Sequence, residues 1–169
     1  MRRSDEAQYR DFVVARLDRL RRSAYLLCRD WHLADDLVSI TLTKLYRNWR
    51  RASEAASLDS YVRTILAHAW VDETRRSWRR EDTLADLPEF PAPAASNNAV
   101  SDRTALAKLL TELPDRQRAV IVLRFYCDMS VAETADLLGV SEGTVKSQSA
   151  RGLELLRAAA PQYALGEDE

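Results

Sequence analysis

Residues 131–156 read VAETADLLGVSEGTVKSQSARGLELL, and this stretch decides the fold of the second half of the chain. Counted from its first residue, a small residue, Ala135, occupies the fifth place, a glycine, Gly139, the ninth, and a β-branched residue, Val145, the fifteenth. Two helices that cross steeply over a short turn need a small contact residue, a residue that tolerates positive φ and an apolar anchor in this order. The pattern therefore predicts a helix-turn-helix.

The second of these helices is predicted to have a polar face. Ser141 is a suitable N-cap for it, and Val145 and Leu153, spaced at i and i+8, hold its apolar side against the rest of the protein. Side chains that can donate hydrogen bonds to phosphates and to base edges cover the opposite face. These residues are Thr144, Lys146, Ser147, Gln148 and Arg151. The pattern favours a DNA-binding motif over the alternative, an ordinary corner between two helices.

Composition and charge indicate a helical protein whose two halves differ. The chain has 169 residues and four glycines, none of which precedes Gly139, while Ala, Leu, Arg and Glu are abundant. The net charge of −1 hides an asymmetry. Residues 1–81 hold 17 Lys and Arg against 12 Asp and Glu, whereas residues 101–169 hold 8 against 11. If the protein binds DNA, the first half is expected to contribute.

Helical spacing of apolar residues predicts three helices in the first half. The first covers Tyr9 to Cys28, and the second runs from about His32 to Trp49 after an N-cap at Asp30. Residues 51–57 are small and polar, which predicts a loop. A long helix then begins near Tyr61 and ends in a basic run.

A change of composition separates the two halves. Residues 82–102 contain three of the five prolines and show no sustained period, so we predict a flexible linker there rather than a long loop within one domain. The predicted fold is all-α, with small helical domains at 1–81 and 103–158 joined by this linker and the helix-turn-helix in the second domain. Residues 159–169 end in three acids and are predicted to form a frayed acidic tail.

The sequence does not indicate a metal protein, a secreted or membrane protein, or an enzyme. Cys28 and Cys127 stand alone in apolar contexts, which favours buried free thiols over a disulfide or a metal site. The sequence shows no secretion signal and no apolar run long enough to span a membrane, so a cytoplasmic location without a membrane partner is expected. No nucleophile–base pair or glycine-rich phosphate loop is visible, so no enzyme activity, small-molecule substrate or cofactor is expected.

Four stretches, in this order, resemble those of bacterial RNA polymerase sigma factors of the small, two-domain, extracytoplasmic-function group. ADDLVSITLTKLYRNW, residues 34–49, resembles the helix by which such factors grip the polymerase β′ clamp. SYVRTILAHAWVDETRRSWRR, residues 60–80, resembles the segment that melts promoter DNA and reads the minus-ten element. LPDRQRAVIVLRFYCDMS, residues 113–130, leads into VAETADLLGVSEGTVKSQSARGLELLR, residues 131–157, which resembles the reader of the minus-thirty-five element.

The resemblance implies roles for particular residues. It implies polymerase binding by Asp35, Asp36, Ser39, Ile40 and Leu42. It implies minus-ten recognition by Arg63, His68, Asp72, Arg75, Arg76 and Arg79. It implies minus-thirty-five recognition by the polar face of the second motif helix, namely Thr144, Lys146, Ser147, Gln148 and Arg151.

Physical chemistry supports these roles and leaves alternatives open. An acidic, partly apolar face on the first stretch suits a basic coiled-coil partner, although acids in a solvated first turn are the alternative. In the second stretch the arginines suit phosphates, and Tyr61, Trp70 or Trp78 could stack an unpaired base. The alternative is that Trp70 belongs to the core, which we favour for this residue, and that the arginines only solubilise the helix end. One helical face carries His68, Asp72, Arg75 and Arg76.

The chain departs from the family pattern at four positions. A Gln-Glu pair is common where Ser39 and Ile40 stand, which bears on the affinity for polymerase. Asn is common where His68 stands, which bears on the preferred minus-ten sequence. An apolar residue is more frequent where Ser149 stands, which bears on how the recognition helix is seated.

The resemblance implies a protein that brings RNA polymerase core, through its β′ clamp and β flap, to promoter DNA. It also admits an anti-sigma factor as a further partner. The alternative is a helix-turn-helix transcriptional regulator whose first half senses a ligand or dimerises. Such a regulator would bind duplex DNA without polymerase and would need no basic, aromatic segment in residues 61–80.

Overall fold

The first half of the chain folds into a domain of four helices. The computed structural model describes residues 2–83 and 103–164. The helices of the first domain are α1 (Arg3–Cys28), α2 (Trp31–Arg47), α3 (Trp49–Ser53) and α4 (Leu58–Thr83). Helix α2 lies between α1 and α4 and packs against both, so its apolar stripe forms the centre of this domain.

The predicted N-cap of α2 is confirmed, and apolar residues at helical spacing form its buried side. The Asp30 side chain caps the helix by accepting hydrogen bonds from the backbone N–H groups of His32 at 2.8 Å and Leu33 at 3.3 Å. Leu37, Thr41 and Leu45 are fully buried, while Leu33 is partly buried. The buried Thr41 hydroxyl donates to the Leu37 carbonyl at 2.7 Å, which satisfies it within its own helix.

Helix α3 differs from the prediction, because residues 51–53 are helical and only the remainder of 51–57 connects to α4. Trp49 explains the additional turn. Its ring is 3% exposed and meets the Tyr9 ring edge-on, with the ring centroids 5.4 Å apart. Burial of this large side chain, together with Ala52, stabilises the turn beyond what a run of small polar residues suggests.

The second domain is also helical. Its elements are α5 (Arg103–Glu112), α6 (Asp115–Ile121), a π-helical turn that continues α6 (Val122–Tyr126), α7 (Val131–Leu138) and α8 (Glu142–Ala164). Pro114 directly precedes α6, with a φ of −53° that suits a helix start. Helix α8 packs against both α6 and α7. The prediction of an all-α protein with two helical domains is thus confirmed.

Helices α4 and α8 both end later in the chain than predicted. Helix α4 continues through Thr83, past the predicted end of the first domain at residue 81, and residues 84–102 of the predicted linker lie outside the described residues. Helix α8 continues through Ala164, so the prediction that the tail begins at 159 is wrong for its first part. Consecutive alanines at 158–160 favour this continuation, and residues 165–169 lie outside the described residues.

The helix-turn-helix is confirmed at its turn. Gly139 ends α7 with φ 67° and ψ 35°, a left-handed conformation that glycine adopts without steric cost. The Val140 N–H donates to the Ala135 carbonyl at 3.1 Å, which closes the turn. The Ser141 hydroxyl then accepts from the Thr144 N–H at 3.1 Å and caps α8. Val145 is fully buried against Ala135, so the recognition helix has a fixed seat.

The two domains pack directly against each other. Buried residues of the second domain, including Ile121, Val122 and Leu123, belong to the same apolar cluster as Leu27 of α1. The buried Arg118 guanidinium donates from Nη2 to the Leu27 carbonyl at 3.5 Å. Its Nη1 also lies 2.9 Å from an oxygen of the exposed Asp115 carboxylate within α6. Burial lowers the pKa of Arg118.

The two cysteines are free thiols, as predicted. Burial raises the pKa of Cys28 to about 11 and that of Cys127 to about 12. Both thiols are therefore neutral near pH 7, and their burial leaves them poor nucleophiles. Within residues 2–83 and 103–164, no helix combines the length and apolar character that a membrane span requires.

The close contact of α8 with α6 gives a stability prediction. A Cβ on Gly152 would lie 2.8 Å from Cγ1 of Ile121, whereas one on Gly143 in the same helix would only meet Ser141 Oγ at 3.8 Å. We expect Gly152→Ala to lower the free energy of unfolding by about 1–3 kcal/mol through overpacking. Gly143→Ala, the matched control, should be neutral or stabilising by up to about 1 kcal/mol. Urea unfolding followed by circular dichroism measures both, and equal effects would contradict this packing.

Candidate nucleic-acid and polymerase interfaces

Lys146 and Arg151 are two exposed cations on the predicted recognition face of α8. Both are exposed, and within the described part of the chain neither forms an ion pair. The buried Val145 fixes the opposite side of the helix, so the two cations project from a rigid support. This arrangement suits contacts with phosphates or with guanine edges.

The hydroxyl groups on this face are already engaged. The Ser141 and Thr144 hydroxyl oxygens are 2.9 Å apart, and the Ser147 hydroxyl donates to the Thr144 carbonyl at 3.0 Å. Such local bonds can be exchanged for a bond to a ligand because all three residues remain at least partly exposed. Thr144 and Ser147 can therefore reach a groove only after giving up these bonds.

Gln148 is turned toward the protein rather than fully outward. It is half-buried, and its Oε1 accepts a hydrogen bond from Nε2 of Gln117 on α6 at 2.8 Å. Its Nε2 keeps both hydrogens for other acceptors. Gln117 was not predicted, because the spacing of Gln148 from Val145 and Gly152 places it beside the buried side of α8 only once the burial of Gly152 is known.

Helix α4 brings four of the predicted minus-ten residues onto one exposed face. They are His68, Asp72, Arg75 and Arg76. Asp72 lies 4.0 Å from Lys44 of α2, and Arg76 lies 3.8 Å from Glu73. Trp70 packs at the edge of the core, in agreement with our interpretation of it. The backbone of α4 includes Trp78 and Arg79, but their side chains lie outside the described residues.

Arg63 is separated from this exposed face. Its side chain is only 14% exposed, and its Nη2 lies 2.8 Å from Oδ2 of Asp128, which belongs to the second domain. Arg75 also reaches the second domain, because its Nη2 donates to the Leu137 carbonyl at 3.5 Å. Two of the predicted DNA-binding arginines thus have oxygen partners across the domain boundary.

An open groove of about 510 Å³ borders the start of α4. Its walls come from the α3–α4 connection and from the side of α4 that includes Tyr61 and His68. The polar and charged residues that line it are Arg51, Ser57, Ser60, Tyr61, Thr64 and His68. Only Tyr61 and His68 among them were predicted as site residues, because Arg51 and Ser57 fall in the segment that we predicted to be a loop.

The predicted polymerase-binding residues lie on α2 in three different environments. Asp36, Ser39 and Ile40 are exposed and form an outer surface. Asp35 is also exposed, but its carboxylate accepts from the Arg21 guanidinium at 2.7 Å, and this hydrogen bond holds its pKa below the ordinary value. Leu42 is partly buried against the core.

Comparison with known proteins identifies two matched regions. A family model described as Sigma-70 region 2 matches residues 12–80, and one described as Sigma-70, region 4 matches residues 103–156. These ranges agree with the two helical domains. Among the described residues, no cluster of three or more His, Cys, Asp or Glu side chains is arranged to hold a metal ion.

Whole proteins with similar sequences and a similar solved structure extend this match. The RNA polymerase sigma-E factor of Streptomyces avermitilis is 35% identical over 161 residues, which cover 93% of this chain and 87% of that protein. The ECF RNA polymerase sigma factor ShbA of Streptomyces griseus subsp. griseus is 32% identical over 161 residues, with coverages of 89% and 81%. The structure of the sigma factor RpoE in complex with the anti-sigma factor NepR from Bartonella quintana matches with a TM-score of 0.63 and 25% identity, covering 96% of this chain and 99% of that chain.

The contact between Gln117 and Gln148 predicts a selective effect on DNA recognition. Gln117→Leu removes the donor that orients Gln148, so the base preference at one position of the bound duplex should relax by about 1 kcal/mol or more. Selection from randomised duplexes, followed by titration of the best and the altered sequences, measures this. The conservative variant Gln117→Asn, which keeps an amide, should lose less discrimination. If both variants retain the original preference, Gln117 does not position Gln148.

Proposed function

Because the chain belongs to the extracytoplasmic-function group of bacterial RNA polymerase sigma factors, we propose that three of its surfaces divide the work of promoter recognition. As a sigma factor, it binds core RNA polymerase and promoter DNA, directs transcription initiation to specific promoters, and is not an enzyme. We assign recognition of the minus-thirty-five element to α8, recognition of the minus-ten element to α4, and polymerase binding to α2.

The exposed Lys146 and Arg151 on the rigidly seated α8 carry the proposal for the minus-thirty-five element. The N-terminal turns of α8 enter the major groove, as the second helix of such motifs does. Lys146 and Arg151 contact phosphates or guanine, and Thr144 and Ser147 exchange their local hydrogen bonds for base edges. Gln148, whose Oε1 is held by Gln117, contributes an N–H donor.

The exposed face of α4 and the neighbouring groove support the proposal for the minus-ten element. Arg75, Arg76 and Arg79 bind the phosphates of the melted strand. An unpaired base leaves the stack and enters the groove, where Tyr61 offers an aromatic surface and His68 a hydrogen-bonding group.

The outer surface of α2 supports the proposal for polymerase binding. Asp36, which forms no ion pair within residues 2–83 and 103–164, supplies a negative charge beside the apolar Ile40, which suits a basic, partly apolar partner surface such as the β′ clamp. Asp35 contributes less than Asp36 because Arg21 already neutralises it. The second domain meets the β flap, and an anti-sigma factor, such as the one that accompanies the Bartonella quintana protein, is a further proposed partner. Polymerase and promoter DNA place this work in the cytoplasm.

A run-off transcription assay tests the polymerase surface. We expect the unaltered protein to support promoter-specific transcripts with core enzyme, and Asp36→Arg to abolish core binding and transcripts because it reverses the charge at the proposed interface. Asp11→Arg, which reverses an exposed acid on α1, is the matched control and should remain active. If the Asp36 variant still binds core polymerase, the clamp-binding surface does not include Asp36. Duplex binding without any core association by the unaltered protein would instead favour a conventional helix-turn-helix regulator.

A footprinting assay tests the recognition helix. Replacement of Lys146 or Arg151 by Ala should weaken minus-thirty-five binding by about 1–3 kcal/mol where the side chain contacts a base, and by less where it contacts a phosphate. Arg157→Ala changes the same charge at an exposed position nearer the end of α8 and serves as the control. A footprint that is unchanged in the Lys146 and Arg151 variants would remove both residues from the interface.

A further inference from the structure

We propose that a cleft between α1 and the first turns of α4 binds a phosphate group through Arg16, Arg19 and Arg63. Arg63 was predicted as a minus-ten residue, but its side chain is only 14% exposed and is separated from the exposed face of α4. The cleft that it lines is therefore distinct from the surface to which we assign minus-ten recognition.

The cleft is small and is lined by side chains of both helices. Its volume is about 20 Å³, which admits one water-sized group, such as a single oxygen of a phosphate. Phe12, Leu20 and Val62 supply apolar walls. Because these walls limit contact with bulk water, a hydrogen bond from a guanidinium to an oxygen in the cleft is stronger than the same bond at an open surface.

Arg63 supplies a donor that lacks an acceptor. Its Nη2 lies 2.8 Å from Oδ2 of Asp128, whereas its Nε is buried and has no hydrogen-bond partner within residues 2–83 and 103–164. A buried charged donor without an acceptor carries a free-energy cost that a bound oxygen would remove. Since Asp128 engages only Nη2, a ligand can accept from Nε without breaking that ion pair.

Helix α1 adds two guanidinium groups to the same cleft. Arg16 and Arg19 are spaced at i and i+3, and both line the cleft. Arg16 holds Asp59 in a fork, with Nε 2.8 Å from Oδ1 and Nη2 3.4 Å from Oδ2. This hydrogen bonding lowers the pKa of Asp59, and the charges of Arg63 and Arg19 add to the effect. The side chain of Arg19 has no partner in the part of the chain that the structure describes, so its donors are available to a ligand.

The charges and donor directions of the cleft favour a phosphate. Three guanidinium groups face one carboxylate in the lining, that of Asp59, while the Asp128 side chain is 64% exposed and therefore screened by solvent. A carboxylate ligand has two oxygens in one plane. A phosphate has tetrahedral oxygens, so one can accept from Arg63 inside the cleft while others accept from Arg16 and Arg19 at its rim.

The phosphate can belong to a small molecule or to a nucleic-acid backbone. Both present the same oxygens to guanidinium groups, and contacts with the backbone carry no sequence information. A small phosphate compound enters the cleft from solvent, whereas a DNA phosphate reaches it only if the strand passes along the α1 side of α4. The two sources therefore differ in whether an oligonucleotide uses the same arginines.

Calorimetric titration of the full chain with inorganic phosphate and with pyrophosphate, at constant ionic strength, tests the site. Arg19→Ala removes the unpaired cation, and Arg22→Ala, which changes the same charge at an exposed position of α1 outside the cleft, is the matched control. We expect Arg19→Ala to weaken pyrophosphate binding by about tenfold, as the loss of a hydrogen bond to a charged group does, and Arg22→Ala to bind as the unaltered protein does.

Arg63→Lys tests the buried donor separately. Lysine keeps a positive charge near Asp128 but has no N–H group at the position of Nε. We expect this variant to bind pyrophosphate about tenfold more weakly than the unaltered protein, with an unchanged circular dichroism spectrum. Undiminished affinity in Arg63→Lys would overturn the assignment of Nε as a ligand donor.

A single-stranded oligonucleotide of deoxythymidine, which contains no promoter element, separates the two sources. If Arg19→Ala loses affinity for pyrophosphate but binds the oligonucleotide as tightly as Arg22→Ala does, the cleft takes a small phosphate compound. If it loses affinity for both, and pyrophosphate displaces the oligonucleotide, the cleft takes a backbone phosphate. If neither probe distinguishes Arg19→Ala from Arg22→Ala, the cleft binds no phosphate and the inference is overturned. These titrations use neither polymerase nor a promoter, so that result would leave the proposed roles of α2, α4 and α8 in promoter recognition untouched.

Discussion

The burial of the second half of α1 is the interaction on which the structure depends. Leu27 is 1% exposed, and the adjacent Leu26, which lies about 100° further around the helix, is also buried. A helix at the surface of a single small domain commonly buries a stripe of about 100°, which is narrower than the roughly 160° that the buried residues of α1 span from Leu26 to Ala24. Helix α1 instead packs against α2, α3 and α4 of its own domain and against α5, α6 and the π-helical turn of the other. The Leu27 carbonyl in its last turn also accepts from Arg118, a cation placed favourably at a helix C-terminus. One helix therefore supplies part of the core of both domains.

The sequence predicted the local structure well because that structure is encoded by neighbouring residues. The cap at Asp30, the stripe through Leu37 and Leu45, and the turn at Gly139 each depend on residues a few positions apart. Helix α3 was missed because Trp49 is stabilised by rings of α1 that are distant in sequence. The direct packing of the domains was missed for the same reason. In the sequence, Leu26 and Leu27 are adjacent apolar residues on different sides of α1. They indicate contact with a second domain only when the other helices that α1 packs against are known.

The sequence predicted which residues make up the candidate sites, but it did not predict the direction in which each side chain points. Helical spacing correctly grouped the exposed residues of α4, because residues four and seven apart share a face. It could not show that Arg63, five residues before His68, faces the second domain. On α8 the polar residues were recognised together, although Gln148 is half-buried beside α6 while Lys146 is exposed. Whether a polar side chain serves a ligand or the protein itself depends on the packing of other helices, which a pattern within one helix does not contain.

The apolar cluster that α1 shares with the second domain couples the stability of the two halves of the chain. Leu27 of α1 belongs to the same buried cluster as Ile121, Val122 and Leu123. Unfolding of either half would expose the part of this cluster that the other half covers, at a cost of about 25 cal/mol per Å² of apolar surface. Residues 2–83 and 103–164 therefore form one cooperative unit, and a substitution in the shared cluster changes the stability of both.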